Sequence, residues 1–359
     1  MRRTGWAAIC VGLWVLAGIA VAPGRGAPGP AAASQPAVEP ASAAWELRML
    51  GVDTPDKLRD LRGIGGRRLV TLAVVGTGGV SESVLAPRAG RDFAVEYRMG
   101  ARDPNGNTHD TQMVAVTSDI TLALGVRLKV LVYQPPDSPA ELAEAFRQAG
   151  KAADIICFYQ SYWEGIGPIL DALREANLSV ILTPYAEVGD PRTSRTPQGH
   201  SRKPGGGGIG HLATVAPLAR KSGGELTTVA DRDPNDTEII NFVAPSYHAN
   251  GPGGTCPSAA VAVAAACYVY AASPARPTPA EALRVLRETS CIDGNLIAST
   301  PPFSRETAVR FEKAVREYTQ PERGARRRLD APGLLNLHRA FLRMGKPGEK
   351  TTTGPAESP

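Results

Sequence analysis

The chain has 359 residues, of which 43% are hydrophobic and 21% are charged, and its formal net charge is +5. This balance is typical of a globular protein with a buried core and excludes an intrinsically disordered chain. The basic residues are dispersed except at 326–328, where no aromatic side chains accompany them, so the pattern argues against nucleic-acid binding.

The N-terminal region has the pattern of an export signal. Arg2 and Arg3 precede an apolar run at 6–22, and a stretch rich in Ala, Pro, Gly and Ser follows it. A basic start, a short apolar run and small residues are typical of a secretory signal peptide, and an uncleaved membrane anchor is the alternative. We predict a signal peptide at 1–33, an exported protein in the periplasm, at the cell surface or outside the cell, and no stable membrane span after cleavage.

The remaining chain divides by composition into three parts. An Ala/Pro-rich linker with a short N-terminal helix is expected at 34–62, and a large domain at 63–344. The tail at 345–359 is polar and contains proline, a composition typical of disorder. No feature of the sequence indicates an oligomeric state.

Segments between 69 and 183 alternate between strand-like and helix-like patterns. Continuous aliphatic runs predict strands buried on both faces, at 69–75, 128–133, 154–159 and 179–183. Apolar periodicity and capping residues predict helices at 113–124, 138–150 and 166–177. This alternation predicts an α/β fold with a parallel sheet covered by helices on both faces.

The second half of the domain continues the same plan. A glycine-rich segment at 203–209 is too irregular for a phosphate-binding signature and is expected to be a solvated loop. Further strands are predicted at 212–216, 225–230 and 238–243. Further helices are predicted at 259–272, 279–288, 305–318 and 334–342.

A thiol stands where a glycine-rich turn leads into the apolar helix predicted at 259–272. The turn reads Gly253-Gly254-Thr255-Cys256. The first turn of a helix has unpaired backbone N–H groups and a partial positive charge, which favour a thiolate or an oxyanion. Cys256 is therefore a candidate nucleophile, and the alternative is an inert, buried packing residue.

Four cysteines follow the predicted signal peptide: Cys157, Cys256, Cys267 and Cys291. Their spacing matches no zinc-binding pattern, and no acidic run suggests a calcium site, so we expect neither a metal nor a cofactor. In an exported protein these thiols can form disulfides. Cys267 with Cys291 is the first pair to test, and the sequence leaves the other pairings open.

The order of segments resembles the subtilisin-like serine proteases (subtilases) from about Gly63 to Ala340. Residues 72–78 look like the family's strand that ends at the catalytic aspartate, and 103–111 look like the segment in which its histidine opens a helix. Similar correspondences occur in the same order at 153–156, 180–189, 242–245, 254–256 and 333–337. The resemblance implies a three-layer α/β/α fold with a mostly parallel central sheet.

The same resemblance places departures at the catalytic positions, where only His109 keeps the family's identity. Gly76 stands at the aspartate position and Cys256 at the serine position. The oxyanion-hole asparagine is absent, with Ala186 or Glu187 in its place. Two neighbouring positions also differ, with Asp110 for the glycine after the histidine and Ala260 for the proline after the nucleophile.

These departures support two hypotheses about function. Loss of the aspartate costs about four orders of magnitude in rate, as in the serine-protease example, and loss of one oxyanion donor costs about two to three more. The first hypothesis is therefore an exported peptidase homologue with little or no serine-endopeptidase activity. Such a protein would bind a peptide or protein segment in the substrate cleft by adding it as a strand to the sheet.

The second hypothesis is an active thiol hydrolase. Cys256 would be the nucleophile and His109 its base, with the helix start stabilising the thiolate. A carboxylate from a new position would have to orient the His109 ring. The sequence offers Asp110 and Glu82 for this role without deciding between them.

Overall fold

A mostly parallel β-sheet with helices on both faces forms the centre of the protein. The computed structural model describes residues 44–76, 78–100, 108–136, 138–159, 165–184, 208–220, 226–228, 240–245, 255–290 and 335–344. All of them belong to one unit of the chain, Glu39–Pro359. The following predicted features lie outside the described residues: the signal peptide at 1–33, the helix at 305–318, most of the glycine-rich loop (203–207) and the tail at 345–359.

The sheet runs through the whole described domain. Its strands are β1 (Leu69–Val75), β2 (Phe93–Met99), β3 (Arg127–Tyr133), β4 (Ile155–Cys157), β5 (Val180–Pro184), β6 (Leu212–Arg220), β7 (Leu226–Thr228) and β8 (Ile240–Pro245). The order is β2-β3-β1-β4-β5-β6, with β8 parallel to β6 and β7 antiparallel to it. The predicted α/β class with a mostly parallel sheet is confirmed.

Four of the described helices connect strands, two precede β1 and three follow β8. The helices are α1 (Ala44–Met49), α2 (Pro55–Gly65), α3 (Glu82–Leu85), α4 (His109–Ala123), α5 (Pro139–Ala152), α6 (Gly167–Glu175), α7 (Thr255–Ala272), α8 (Pro279–Thr289) and α9 (Leu337–Met344). The helices from α4 onward correspond to six predicted helices, and α1 and α2 lie where the sequence predicts one short helix within 34–62. Ser138 caps α5, because its side chain accepts a hydrogen bond from the Glu141 backbone N–H.

Side chains of β1 alternate between the two faces of the sheet. Val70, Leu72 and Val74 belong to the apolar cluster that includes α4 and α7 residues, whereas Ala73 and Val75 belong to the cluster formed with α5 and α6. A strand in a helix-covered parallel sheet needs apolar residues on both faces, which explains the continuous aliphatic run. The result is a three-layer α/β/α arrangement.

Helix α7 is the buried centre of one of these layers. Its residues from Pro257 to Ala272 are all buried. Among the described residues it is the one helix long and apolar enough to cross a membrane, with a mean hydropathy of 1.5, yet 89% of it is buried inside the protein. A helix that is apolar on all sides fits the core of an α/β domain, because every face meets other protein atoms.

Two parts of the fold were not anticipated. Strand β2 lies at the sheet edge beside β3, and its half-exposed charged residues interrupt the apolar pattern that identifies the central strands. Helices α1 and α2 also join the main core. The Tyr268 hydroxyl donates to the Leu61 carbonyl at 3.3 Å, and the Leu337 N–H donates to the Leu50 carbonyl at 2.7 Å. The core therefore draws on residues before position 63.

Candidate active site

Two helices bring His109 and Cys256 to the same edge of the sheet. Helix α4 follows β2 and α7 follows β8, so both begin beyond the carboxyl ends of parallel strands. This edge is where open parallel sheets gather helix starts and place their functional sites. His109 is the first residue of α4, and Cys256 is the second residue of α7.

The start of α4 is fixed by Thr108. Its side chain accepts a hydrogen bond from the Thr111 N–H at 3.3 Å, as an N-cap residue does. Its hydroxyl also donates to the Gly79 carbonyl at 2.6 Å. Because Gly79 follows β1, this pair of bonds ties the helix start to the end of the central strand. His109 is therefore held beside the turn that contains Gly76.

The His109 ring is hydrogen-bonded to a carboxylate from the next residue. Its Nδ1 lies 3.2 Å from Asp110 Oδ1, and the exposed fraction of the side chain is 51% for His109 and 10% for Asp110. Asp110, rather than the exposed Glu82, therefore supplies the carboxylate that the second hypothesis requires. The bond with Asp110, followed by a second bond with Cys256, outweighs burial and raises the pKa of His109 to about 10.

Cys256 interacts with the His109 ring and contributes, through hydrogen bonding and through its charge, to the raised pKa of His109. The thiol is free and partly buried, and it lies in the first turn of α7. Unpaired backbone N–H groups and the helix dipole favour a thiolate at this place. The structure thus brings together the nucleophile and base that the sequence predicted, with a carboxylate behind the base.

Tyr159 packs against the same ring, a contact that sequence reasoning missed. The ring centroids of Tyr159 and His109 are 5.7 Å apart and the planes are inclined by 75°, an edge-to-face arrangement. Burial raises the pKa of Tyr159 and that of Cys157 two residues earlier. The alternation Ile155-Cys157-Tyr159 placed these side chains on one face of β4, which is the signal that could have identified the contact.

The remaining predicted positions divide into one that faces the site and two that are not described. Gly76 follows β1, and its N–H donates to the Tyr133 carbonyl at 3.1 Å. A Cβ added there would meet the Asp110 carboxylate, so Gly76 faces the site without contributing a functional group. Ala186 and Glu187, at the oxyanion position, lie outside the described residues.

The expected pairing of Cys267 with Cys291 is not formed. Cys267 is a free thiol, fully buried in α7 among core residues, and Cys291 lies outside the described residues. Cys157 is also free and buried. Within the ranges that the structure describes, no three His, Cys, Asp or Glu side chains gather into a possible metal site.

Comparisons with known proteins show the fold. No protein-family model matches this sequence, and neither does any curated protein sequence. A structure of the subtilase cytotoxin SubAB is 15% identical over 84% of this chain and 96% of that chain, with a TM-score of 0.54. A mutant of the epidermin leader peptide processing serine protease from Staphylococcus aureus is 12% identical over 86% of this chain and 83% of that chain, with a TM-score of 0.51.

A lanthipeptide protease is similar to the same degree. It is 13% identical over 83% of this chain and 96% of that chain, with a TM-score of 0.50. At these identities the likeness shows the fold alone. The chain has a subtilisin-like α/β fold, and the structures that share it are serine-protease-like.

Proposed function

We propose that the protein is an exported cysteine-type hydrolase, a divergent member of the subtilase family that acts on a peptide or protein segment held in its cleft. The main support is the geometry around His109, whose ring bonds the Asp110 carboxylate at 3.2 Å and whose pKa is also raised by the Cys256 thiol at the start of α7. Nucleophilic catalysis requires a nucleophile and base within hydrogen-bonding reach and a third group that holds the base. The second hypothesis from the sequence is favoured over a purely binding role, because a carboxylate contacts the ring.

The proposed reaction begins with transfer of the Cys256 proton to His109. The thiolate sulfur attacks the carbonyl carbon of the scissile amide, and the C=O electron pair moves to the oxygen. When this tetrahedral intermediate collapses, the imidazolium gives its proton to the leaving amine, and a thioester remains on Cys256. A water molecule that loses its proton to His109 then hydrolyses the thioester, which releases the carboxylic acid and restores the thiol.

The developing oxyanion needs hydrogen-bond donors. The proposal assigns this role to backbone N–H groups in the first turn of α7, including that of Cys256, because they lack partners within the helix and carry the positive end of its dipole. Each well-placed donor contributes about two to three orders of magnitude in rate. A reaction supported by backbone donors alone would be slower than that of a serine protease with the asparagine side chain in place.

The substrate class follows from the fold and from the comparisons. Two structures that share the fold are described as a lanthipeptide protease and a leader peptide processing protease. A cleft beside parallel strands can hold an extended peptide through main-chain hydrogen bonds. We therefore assign a peptide or an unfolded protein segment, rather than a small-molecule ester, as the substrate.

The test is cleavage of denatured casein, together with iodoacetamide labelling followed by mass spectrometry. Cys256→Ala should lower the cleavage rate by at least about a thousandfold, since it removes the nucleophile. Cys267→Ala is the matched control, because it removes a buried thiol from the same helix without touching His109, and it should keep the activity. In the wild type, Cys256 should be alkylated faster than Cys157 and Cys267, which are buried.

Two results would contradict the proposal. One is cleavage that survives in Cys256→Ala. The other is a folded wild-type protein that cleaves nothing and whose Cys256 reacts no faster with iodoacetamide than free cysteine does. If the second result is accompanied by retention of casein peptides on a column of immobilised protein, the peptide-binding hypothesis replaces the hydrolase.

A further inference from the structure

We propose that Asp110 is the positioning carboxylate of this site, relocated from the end of β1 to the first turn of α4, and that Gly76 and Gly78 are glycines because this carboxylate fills their side-chain space. The inference deepens the proposed function and rests on it in one respect: Cys256 and His109 must perform the chemistry that Asp110 assists. The placement of the carboxylate can be tested separately.

The two oxygens of Asp110 point in different directions. Oδ1 accepts the hydrogen bond at His109 Nδ1, at 3.2 Å. Oδ2 faces the turn after β1, where a Cβ added to Gly76 would lie 2.6 Å from it and a Cβ added to Gly78 would lie 3.1 Å from it. Carbon–oxygen contacts of 2.6 Å are far inside van der Waals separation. A side chain at position 76 would therefore force this carboxylate to move from the position in which it bonds the ring.

The overlap between a side chain at position 76 and the Asp110 carboxylate accounts for two departures from the subtilase pattern together. In the resemblance, the aspartate belongs at position 76 and a glycine follows the histidine. In this chain glycine stands at 76 and aspartate follows His109. The two positions are 34 residues apart in sequence and share one space in the fold. A carboxylate that reaches the ring from either side would perform the same task, which is to hold one ring tautomer and orientation.

A buried carboxylate needs a hydrogen-bonding partner, and the His109 ring is one for Asp110. Asp110 is buried, and a buried carboxylate is costly unless it is hydrogen-bonded or paired. The groups that face the ring are Asp110 from α4, Cys256 from α7 and Tyr159 from the segment after β4. Of the three, only Asp110 bonds Nδ1, which leaves the other ring nitrogen available for the thiol.

Asp110→Asn tests the proposal against a matched control on the same helix. Asp119→Asn also removes a carboxylate whose exposed fraction is 10%, but its partner is Arg88 rather than His109. The first readout is the His109 titration by NMR of histidine-labelled protein, with the signal assigned from His109→Gln among the five histidines. Asp110→Asn should lower the measured pKa of His109 and reduce casein cleavage by about a hundredfold to ten-thousandfold. Asp119→Asn should leave the His109 titration unchanged.

A reciprocal exchange tests the shared space directly. Gly76→Asp alone places two carboxylates in contact and should lower stability. Asp110→Gly alone should lower the pKa of His109 and the cleavage rate. The double variant Gly76→Asp/Asp110→Gly should raise the pKa of His109 again, because one carboxylate again faces the ring. Its cleavage rate should be at least tenfold higher than that of Asp110→Gly.

Two results would overturn the proposal that Asp110 supplies the positioning carboxylate. One is an unchanged His109 titration in Asp110→Asn. The other is a folded double variant whose titration matches that of Asp110→Gly. Neither depends on catalysis, so a protein that cleaves nothing would contradict the proposed function and still report on Asp110. If the double variant does not fold, the comparison of Asp110→Asn with Asp119→Asn decides the question.

Discussion

At the scale of single residues, the partner of a carboxylate decides what it can do. Asp110 and Asp119 lie on one helix and are buried to the same degree. Arg88 holds Asp119 with two hydrogen bonds, at 2.6 and 2.9 Å, and a guanidinium keeps its proton at any ordinary pH. The partner of Asp110 is an imidazole, which can gain and lose a proton. The first pair therefore stabilises structure, and the second can take part in proton transfer.

Gly76→Ala is a residue-scale prediction about the room that Asp110 needs. The new Cβ would lie 2.6 Å from Asp110 Oδ2, so the carboxylate must move away from the ring. We expect a loss of about 1–3 kcal/mol in the free energy of unfolding, as for other overpacked sites, and at least tenfold slower alkylation of Cys256. Urea denaturation and timed iodoacetamide labelling measure the two effects.

Gly63→Ala is the control for this substitution. Nothing lies within 4 Å of a Cβ added at Gly63, which belongs to α2. Alanine there should raise the free energy of unfolding by about 0.5–1 kcal/mol through its higher helix propensity. A Gly76→Ala protein as stable and as reactive as the wild type would show that the carboxylate does not need this space.

At the scale of elements, the site depends on how two helices begin. Thr108 fixes the start of α4 through the Thr111 N–H and the Gly79 carbonyl. Farther along, the Thr117 hydroxyl donates to the Ala260 carbonyl at 3.0 Å, a direct bond between α4 and α7. Because both helices are held to each other and to β1, the His109 ring and the Cys256 thiol keep their relative position. The cap is thus part of the support of the site as well as of the helix.

Thr108→Ala is the element-scale prediction. Loss of this N-cap should lower the free energy of unfolding by about 1–2 kcal/mol and should slow alkylation of Cys256, because His109 is the next residue. Thr278→Ala removes the capping box of α8 and should cost a similar stability without changing that rate. Equal alkylation rates in the two variants would contradict a role of Thr108 in positioning His109.

At the scale of the whole molecule, the charge of His109 links the site to folding. The pKa of His109 is raised to about 10 in the folded protein, and it is about 6.5 in an unfolded chain. A raised folded pKa contributes stability that is complete below the unfolded pKa, declines above it and is lost as the pH passes the folded pKa. Because 51% of the His109 side chain is exposed, solvent screening limits the effect to about 1 kcal/mol.

This linkage predicts a pH-dependent difference between the wild type and His109→Gln. Urea unfolding of both proteins at pH 6 and pH 10 isolates the histidine, because other titrating groups are common to the two. The stability advantage of the wild type should shrink by about 1 kcal/mol or less from pH 6 to pH 10. A difference that stays constant, or that grows with pH, would contradict the raised pKa.

Much of the fold follows from local sequence patterns. The sequence predicts β1 because a strand covered on both faces needs apolar residues at successive positions. It predicts α5 and α6 because a helix packed on the sheet needs apolar residues along one face. The edge strand β2 escaped prediction because half-exposed positions tolerate charged residues. The sequence left the cysteine pairing open for a related reason, since spacing along the chain does not tell which thiols are enclosed by the core.

The candidate site, like the fold, has features that the sequence predicted and features that only the structure showed. Local patterns predicted the α/β class and placed Cys256 where a turn leads into α7, because both depend on residues close together in the chain. The expectation that His109 opens a helix came from the resemblance. The sequence placed glycine at the family's aspartate position, residue 76, and left Asp110 and Glu82 as possible replacements for the carboxylate. Only the tertiary structure decided that Asp110 fills the space beside Gly76 and bonds His109, because the fold brings the end of β1 and the start of α4 into contact.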